Sequence, residues 1–381
     1  VVGGIEASMR RFSHYDYWSD RVRRPMLVDC KADLLIYGMG ELQLKEIAAR
    51  LDAGVPVREI DLVPGTCVMK KFKPENCVEI PSYEAVAADK AAYAEAFRLQ
   101  SLEQDPIRGA AVAQKVGDRY MVQNRPMRPL TTAEFDLVNE LPFTREAHPM
   151  YDRCGGIPAI EEVRFSINST RGCFGSCAFC AIHAHQGRIV QARSDESILR
   201  EAREMTRHPK FKGYVHDVGG PTGNFRAPAC EDQLRRGCCR HRQCLSPKPC
   251  PRLRATHREF IRLLEKLRAV PGVKKVFLRS GLRYDYILAD PEGEKFIEAL
   301  CRHHVSGQLR VAPEHASLRV LRLMGKPPIK EYVRFKKLFE EATRRAGKEQ
   351  YVLPYLISSH PGCTLKDAVE LAEFLRDQRF T

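Results

Sequence analysis

Three cysteines with the spacing C-x3-C-x2-C, namely Cys173, Cys177 and Cys180, form the most chemically informative stretch of the sequence. Three thiolates this close in one loop can each bind one iron of a cubane iron–sulfur cluster, which ordinarily takes four cysteines. The missing fourth ligand would leave one iron open to a small molecule, as a catalytic zinc keeps one position open. The alternatives are a structural zinc completed by His183 and ordinary buried thiols. A strand–loop–helix context favours the cluster.

The elements that position this loop follow a regular pattern from residue 160 onward, where strands and helices alternate. A repeated βα unit with right-handed crossovers predicts a parallel barrel or open barrel. In such barrels the chemistry gathers in the loops that follow the strands. The five predicted strands are 163–167, 213–218, 273–279, 308–312 and 350–357.

Polar and glycine-rich motifs follow these predicted strands. The candidates that could position or protonate a substrate are Glu314, His315 and His360, and each could equally be a structural hydrogen-bonding group. Helix starts are indicated by Ser/Thr-x-x-Glu patterns or by a capping threonine. These capping positions are Thr131, Thr256 and Thr364.

The N-terminal part of the sequence predicts part of a separate α/β domain. A strand over 32–37, the turn Gly38-Met39-Gly40 and a helix over 41–52 resemble part of a doubly wound unit. The two glycines are too few for a dinucleotide fingerprint, so no cofactor is assigned to them. The predicted fold class is therefore α/β, a partial (β/α) barrel (156–381) preceded by part of an α/β domain (1–155).

Composition limits the class of protein and its partners. The net charge of +14 makes nucleic acid a candidate partner, although the basic residues are spread along much of the chain. No apolar run approaches the ~20 residues of a membrane helix, so no membrane partner is predicted. Fourteen cysteines in clusters, without an export signal, predict a reducing cytoplasm.

A second set of cysteines lies in a cysteine-rich insertion at 226–257. The spacing of Cys239, Cys244 and Cys250, with Cys230 upstream, could supply four ligands to a metal. An auxiliary iron–sulfur cluster and a zinc ion fit this spacing about equally. Cys238, next to Cys239, is the spare thiol.

Several longer runs resemble those of the YgiQ-type radical S-adenosylmethionine (SAM) proteins. They are GGIEASMRRFSHYDYWSD, RGCFGSCAFCAIHAHQGR, DVGGPTGN, RSGLRYD, RVAPEH and YLISSHPG. The resemblance implies a radical SAM barrel that uses a [4Fe–4S] cluster to cleave SAM reductively to methionine and a 5′-deoxyadenosyl radical. It implies an electron donor such as flavodoxin or ferredoxin, and leaves the substrate unknown. It also implies further segments before Val1 and after Thr381, with the sixth barrel strand in the latter.

The resemblance carries roles over to particular residues. Cys173, Cys177 and Cys180 would hold the cluster, and SAM would chelate the open iron through its amino and carboxylate groups. The backbone carbonyls of Gly219 and Gly220 would accept the SAM amino group. Pro221 stands where many radical SAM families have glutamate, so no side-chain contact to the amine is expected there. Further expected SAM contacts are Phe179, through its backbone, to adenine, and Ser280 and Arg283 to the carboxylate or ribose.

Other functions compete with this expectation. An RNA-modifying radical SAM enzyme would account for the positive charge and the arginine-rich cysteine segment. A non-catalytic, zinc-stabilised nucleic-acid-binding protein would account for the cysteines without SAM chemistry. Cobalamin dependence lacks support, because the chain contains no Asp-x-His-x-x-Gly loop.

Overall fold

The computed structural model describes residues 1–380, which form two compact units. The sheet unit comprises Val1–Pro129, Cys180–Ile189 and Glu231–His241. The barrel unit comprises Leu130–Phe179, Val190–Cys230 and Arg242 onward. No helix in the described part of the chain has the length and apolar character needed to cross a bilayer.

Most helices are short. In chain order they are α1 Gly4–Met9, α2 Met26–Cys30, α3 Glu41–Asp52, α4 Tyr83–Ala88, α5 Lys90–Leu102, α6 Thr132–Asn139, α7 Ile160–Val163, α8 Ala181–Gln186, α9 Asp195–Thr206, α10 Asp232–Arg236, α11 Arg258–Arg268, α12 Tyr284–Ala289, α13 Gly293–Ala299, α14 Leu318–Met324, α15 Ile329–Arg345 and α16 Leu365–Asp377.

The strands are shorter still. In chain order they are β1 His14–Asp16, β2 Arg21–Arg23, β3 Leu35–Ile36, β4 Thr66–Lys70, β5 Cys77–Ile80, β6 Ala111–Val116, β7 Arg119–Gln123, β8 Ser166–Asn168, β9 Thr170–Arg171, β10 Gln191–Ala192, β11 Tyr214–Val215, β12 Asp217–Gly219, β13 Lys275–Val276, β14 Gln308–Glu314 and β15 Tyr351–Leu356.

The sheet unit is built on a five-stranded mixed sheet with the order β3-β4-β7-β6-β5. Only the β5–β6 pair is parallel, and the three other pairs are antiparallel. The predicted strand, turn and helix at 32–52 are present as β3 and α3, but the doubly wound arrangement is wrong. β3 pairs antiparallel with the next strand, β4, although α3 lies between them, and a two-residue turn at Gly117 joins β6 and β7 into an antiparallel hairpin, whereas a doubly wound unit needs parallel neighbours.

The barrel unit confirms the predicted parallel arrangement. β8 pairs with β12, β11 pairs with β13, and β14 pairs with β15, all in parallel, while a parallel bridge joins Leu282 to Val311. Because β11 and β12 are consecutive pieces of one strand, five successive strands neighbour one another in chain order. Their apolar faces and the helices α9, α11, α13 and α15 enclose one continuous core.

Two details of the barrel unit differ from the sequence prediction. Residues 160–163 form helix α7, and the first strand begins only at Ser166. Helix α11 begins at Arg258 with His257 as its N-cap residue, one residue later than predicted, and the Thr256 hydroxyl accepts from the Arg258 N–H at 3.4 Å. The buried His257 ring has other partners, described below, and these fix the start of the helix. Thr131 and Thr364 do form the predicted capping interactions.

Candidate cluster and SAM site

The loop that carries Cys173 and Cys177 follows β8 and β9 at the carboxyl end of the first barrel strand. Gly172 and Ser176 both have positive φ angles, of 85° and 51°, which turn the chain sharply around the two cysteines. β9 pairs antiparallel with β10, and this pairing fixes the backbone directly before the loop. The predicted strand-to-loop placement of these two cysteines is confirmed.

Contacts from three other segments hold this loop in the barrel unit. The Phe174 ring is fully buried and stacks on Phe225 with 3.7 Å between ring centroids. The Gln243 side-chain amide donates to the Ser176 carbonyl at 2.7 Å. The Ala178 N–H donates to the Met324 carbonyl at 2.9 Å. The backbone around the cysteines is therefore preorganised by the fold.

The two thiols each have polar neighbours. Cys173 Sγ lies 3.4 Å from Thr222 Oγ1 and accepts from the Gly175 N–H at 3.4 Å. Cys177 is buried, and its Sγ accepts from Arg283 Nη1 at 3.4 Å. A Cβ atom at Gly175 would lie 2.4 Å from Arg283 Nη1 and 3.3 Å from Cys173 Sγ. The glycine thus allows the guanidinium and both sulfurs to share one small space.

Arg283 forms a buried, two-pronged ion pair with Asp285. Its Nε donates to Asp285 Oδ1 at 2.8 Å and its Nη2 donates to Oδ2 at 2.5 Å. Burial by itself would lower the pKa of Arg283, but the charges of Asp285 and Cys177 outweigh it and hold that pKa well above its usual value. Burial by itself would raise the pKa of Asp285, but Arg283 holds it below the ordinary range. Both side chains are therefore charged.

The backbone of Arg283 is fixed by a second buried group of polar side chains. Asn224 Oδ1 accepts from the Arg283 N–H at 2.9 Å, and Asn224 Nδ2 lies 3.0 Å from His257 Nε2. On the other side of the ring, His257 Nδ1 lies 2.7 Å from Asp290 Oδ2. Burial lowers the pKa of His257 although Asp290 opposes this effect. These contacts fix His257 directly before the first residue of α11.

The glycine pair Gly219 and Gly220 lies at the end of β12, beside the cysteine loop. The Gly219 carbonyl accepts from the Ser169 N–H at 2.7 Å and from Ser169 Oγ at 3.1 Å. A Cβ atom at Gly219 would lie 2.3 Å from Ser280 Oγ. Neither glycine has room for a Cβ atom, because Ser280 lies against Gly219 and Thr170 lies against Gly220.

Substituting Gly220 by alanine (Gly220→Ala) is expected to destabilise the barrel unit by about 1–3 kcal/mol, because the new methyl group overpacks a closed space. Its Cβ would lie 2.4 Å from the Thr170 carbonyl oxygen and 2.5 Å from Thr170 Oγ1. Gly281→Ala is the matched control, since no atom lies within 4 Å of its Cβ position. Urea unfolding measures the free energy of unfolding of both variants. Equal values for Gly220→Ala and Gly281→Ala would contradict the close packing of Thr170 against Gly220.

Ser280 and Arg283, expected to contact the SAM carboxylate or ribose, have protein partners. The Ser280 hydroxyl donates to Asp217 Oδ2, and the same carboxylate accepts from the Ser280 N–H at 3.1 Å through Oδ1. Arg283 uses two nitrogens on Asp285 and a third on Cys177. The structure therefore brings Arg283 to the cysteine loop itself.

The candidates on the later strands lie in the same unit. Glu314 is buried at the end of β14 with φ of 72° and contacts Lys326 Nζ at 3.4 Å. His315 is buried, accepts from the Ser317 N–H at 3.0 Å, and has its pKa lowered by burial. The His360 ring packs edge-on against Phe179, with 6.1 Å between centroids. Phe179 thus connects the cysteine loop to the loop after the fifth strand.

The remaining predicted ligands are divided between the two units. Cys180 belongs to the sheet unit, where it directly precedes α8. Of the second set, Cys239 belongs to the sheet unit and is exposed, whereas Cys230, Cys244 and Cys250 belong to the barrel unit. The Cys250 N–H donates to the Cys244 carbonyl at 2.9 Å. Across residues 1–380, no group of three or more His, Cys, Asp or Glu side chains is arranged as a metal site.

Sequence reasoning missed the buried charges around the cysteine loop. Asp285 and Lys326 are both buried, and each pairs with a residue that the sequence had singled out. The Arg-x-Asp spacing after the third strand was a usable signal for the first pair. Lys326 follows α14 and gave no comparable signal, since it lies twelve positions after Glu314 in the sequence.

Comparisons with known proteins agree along the whole chain. Residues 1–166 match the family described as "Radical SAM N-terminal", and residues 167–375 match the "Radical SAM superfamily". A UPF0313 protein of Clostridium perfringens is 53% identical over 99% of this chain, which spans 57% of that relative. A UPF0313 protein of Clostridium botulinum is 51% identical over 100% of this chain, which spans 59% of it. The chain therefore covers little more than half the length of these curated relatives.

Among solved structures, the cobalamin-dependent S-adenosylmethionine radical enzyme OxsB, with aqua-cobalamin bound, matches with a TM-score of 0.51. The match covers 98% of this chain and 38% of OxsB, at 13% sequence identity. At this identity the likeness concerns the fold.

Proposed function

The chain belongs to the radical SAM superfamily, and we propose that it binds a [4Fe–4S] cluster through Cys173, Cys177 and Cys180 and cleaves SAM reductively. The observation that carries the proposal is the preorganised loop after the first barrel strand, with the thiols of Cys173 and Cys177 beside one buried guanidinium. Three thiols with no fourth cysteine in the motif are the donor set that a cluster with one open iron requires.

The group, when bound, would supply one electron to SAM, which breaks into methionine and a 5′-deoxyadenosyl radical. The chain's own part is to bind and orient. Because the Gly219 carbonyl already accepts two hydrogen bonds from Ser169, we assign the contact to the SAM amino group to the Gly220 carbonyl. The Phe179 ring, which directly precedes Cys180 in the chain, packs edge-on against His360 in the loop after the fifth strand.

Three residues at the later strand ends have roles that depend on the substrate. We assign Glu314, His315 and His360 to positioning or protonating the substrate, because they lie at the carboxyl ends of the fourth and fifth strands. The electron donor is proposed to be a flavodoxin or ferredoxin. The compartment is proposed to be the cytoplasm, whose reducing poise keeps clustered thiols available to metals.

For the second cysteine set we propose an auxiliary iron–sulfur cluster or a zinc ion held by Cys230, Cys239, Cys244 and Cys250. Anaerobic reconstitution of the purified protein with iron and sulfide tests both sites together. About four irons per chain would indicate the SAM-binding cluster alone, and about eight a second cubane. Stoichiometric zinc without iron would contradict the proposed function.

A further inference from the structure

We infer that Arg283 sets the reduction potential of the cluster bound by the cysteine loop, through its hydrogen bond to Cys177 Sγ. The inference rests on the proposed function, and it gives Arg283 a role on the cluster side of the site. The role expected from sequence, a contact to the SAM carboxylate or ribose, would need nitrogens that the structure shows engaged elsewhere.

The side chain is held in place by its own ion pair. Nε and Nη2 both donate to Asp285, so the plane of the guanidinium is fixed and Nη1 is aimed at the loop. Arg283 is 7% exposed and Asp285 is 4% exposed. Water therefore contributes little to screening the charge that faces the sulfur.

The distance between the guanidinium and the loop is fixed as well. On the Arg283 side, the backbone N–H is bound by Asn224, which is itself held by His257. On the loop side, glycine is the only residue type that leaves room for the guanidinium at position 175, since a Cβ atom at Gly175 would lie 2.4 Å from Arg283 Nη1. The contact with Cys177 is thus built into both partners.

A donor at a cluster ligand acts on the redox equilibrium in a predictable direction. Reduction adds one electron, which comes from the external reductant, and makes the cluster and its sulfurs more negative. Hydrogen bonds to the sulfurs and nearby positive charge stabilise the reduced form and raise the reduction potential. Asp285 has the opposite effect, because its negative charge partly cancels the field of Arg283.

The two residues therefore act with opposite signs, and this gives the inference a specific test. Asp285→Asn leaves the cation without its counter-charge and should raise the potential. The double variant Arg283→Met with Asp285→Asn removes the pair as a unit, without stranding a buried charge, and should lower the potential. Arg279→Met is the matched control, because Arg279 follows the same strand but its side chain is 48% exposed and pairs with Glu162.

The measurement is an equilibrium redox titration of each anaerobically reconstituted protein, followed by the electron paramagnetic resonance signal of the reduced cluster, without SAM. Shifts of opposite sign in the first two variants, with the control at the parent's potential, support the inference. Unchanged potentials, or shifts of one sign, overturn it. A change in packing alone has no reason to produce opposite shifts.

Two further outcomes are separable. If the double variant binds no iron, Arg283→Lys takes its place, because it keeps the charge and loses the planar fork. A potential below the parent's supports the inference, and the parent's own value contradicts it. If the parent protein itself assembles no [4Fe–4S] cluster, it is the proposed function that fails.

Discussion

Replacing Cys177 by alanine (Cys177→Ala) is expected to abolish the [4Fe–4S] cluster and, with it, all formation of 5′-deoxyadenosine from SAM. The loop offers three thiols and no spare cysteine between Cys173 and Cys180, so two cysteines would have to hold a cluster that already has one ligand fewer than the usual four in the parent. Cys177 is also the buried thiol in contact with Arg283, which leaves a buried donor unsatisfied in the variant. Iron content and product are both measured after anaerobic reconstitution.

Cys154→Ala is the control for this experiment. Cys154 is exposed, lies in the barrel unit and belongs to neither cysteine set. The control should keep the parent's iron content and product yield. A Cys177→Ala protein with full iron and undiminished 5′-deoxyadenosine would show that the cysteine loop does not hold the cluster.

Truncating Phe174 (Phe174→Ala) should destabilise the barrel unit by about 3–5 kcal/mol, because it deletes a fully buried aromatic ring and leaves a cavity. Its stack on Phe225 is nearly parallel, at 14°, and Tyr286 meets it edge-on with 5.8 Å between centroids. The ring is the apolar anchor between Cys173 and Cys177. Weaker retention of iron is expected together with the loss of stability, which urea unfolding measures.

Phe72→Ala provides the comparison, since Phe72 is 74% exposed. Its change in unfolding free energy should stay within about 0.5 kcal/mol. Phe174→Leu, which refills most of the space, should lose less stability than Phe174→Ala. Equal effects in Phe174→Ala and Phe72→Ala would mean that the aromatic anchor does not hold the loop.

Features of the fold and the site that depend on local sequence pattern could be predicted from the sequence. The alternation from residue 160 onward predicted five neighbouring parallel strands, and their pairing is confirmed. The C-x3-C-x2-C spacing placed Cys173 and Cys177 on the loop after the first strand, and the resemblance to radical SAM proteins is confirmed by the family match. Such features need only periodicity and short motifs, which a single sequence contains.

Contacts between residues far apart in the sequence could not be predicted from local pattern. Thr256-x-x-Glu259 has the form of a capping box, but the helix begins one residue later than that box predicts, because His257 is held by Asn224 and Asp290 in the N-cap position. Arg283 lies where a SAM contact was expected, and its partners proved to be Asp285 and Cys177. The antiparallel pairing of the N-terminal sheet likewise depends on which strands meet, and local spacing does not encode that choice.

Reductive cleavage of SAM is tested most directly by anaerobic incubation of the fully reconstituted protein with SAM and dithionite. We expect 5′-deoxyadenosine and methionine to form together and in equal amounts, because one reductive cleavage yields both. The Cys177→Ala protein, treated identically, should yield neither. A parent protein that carries a full [4Fe–4S] cluster and produces no 5′-deoxyadenosine would rule out reductive SAM cleavage as its activity.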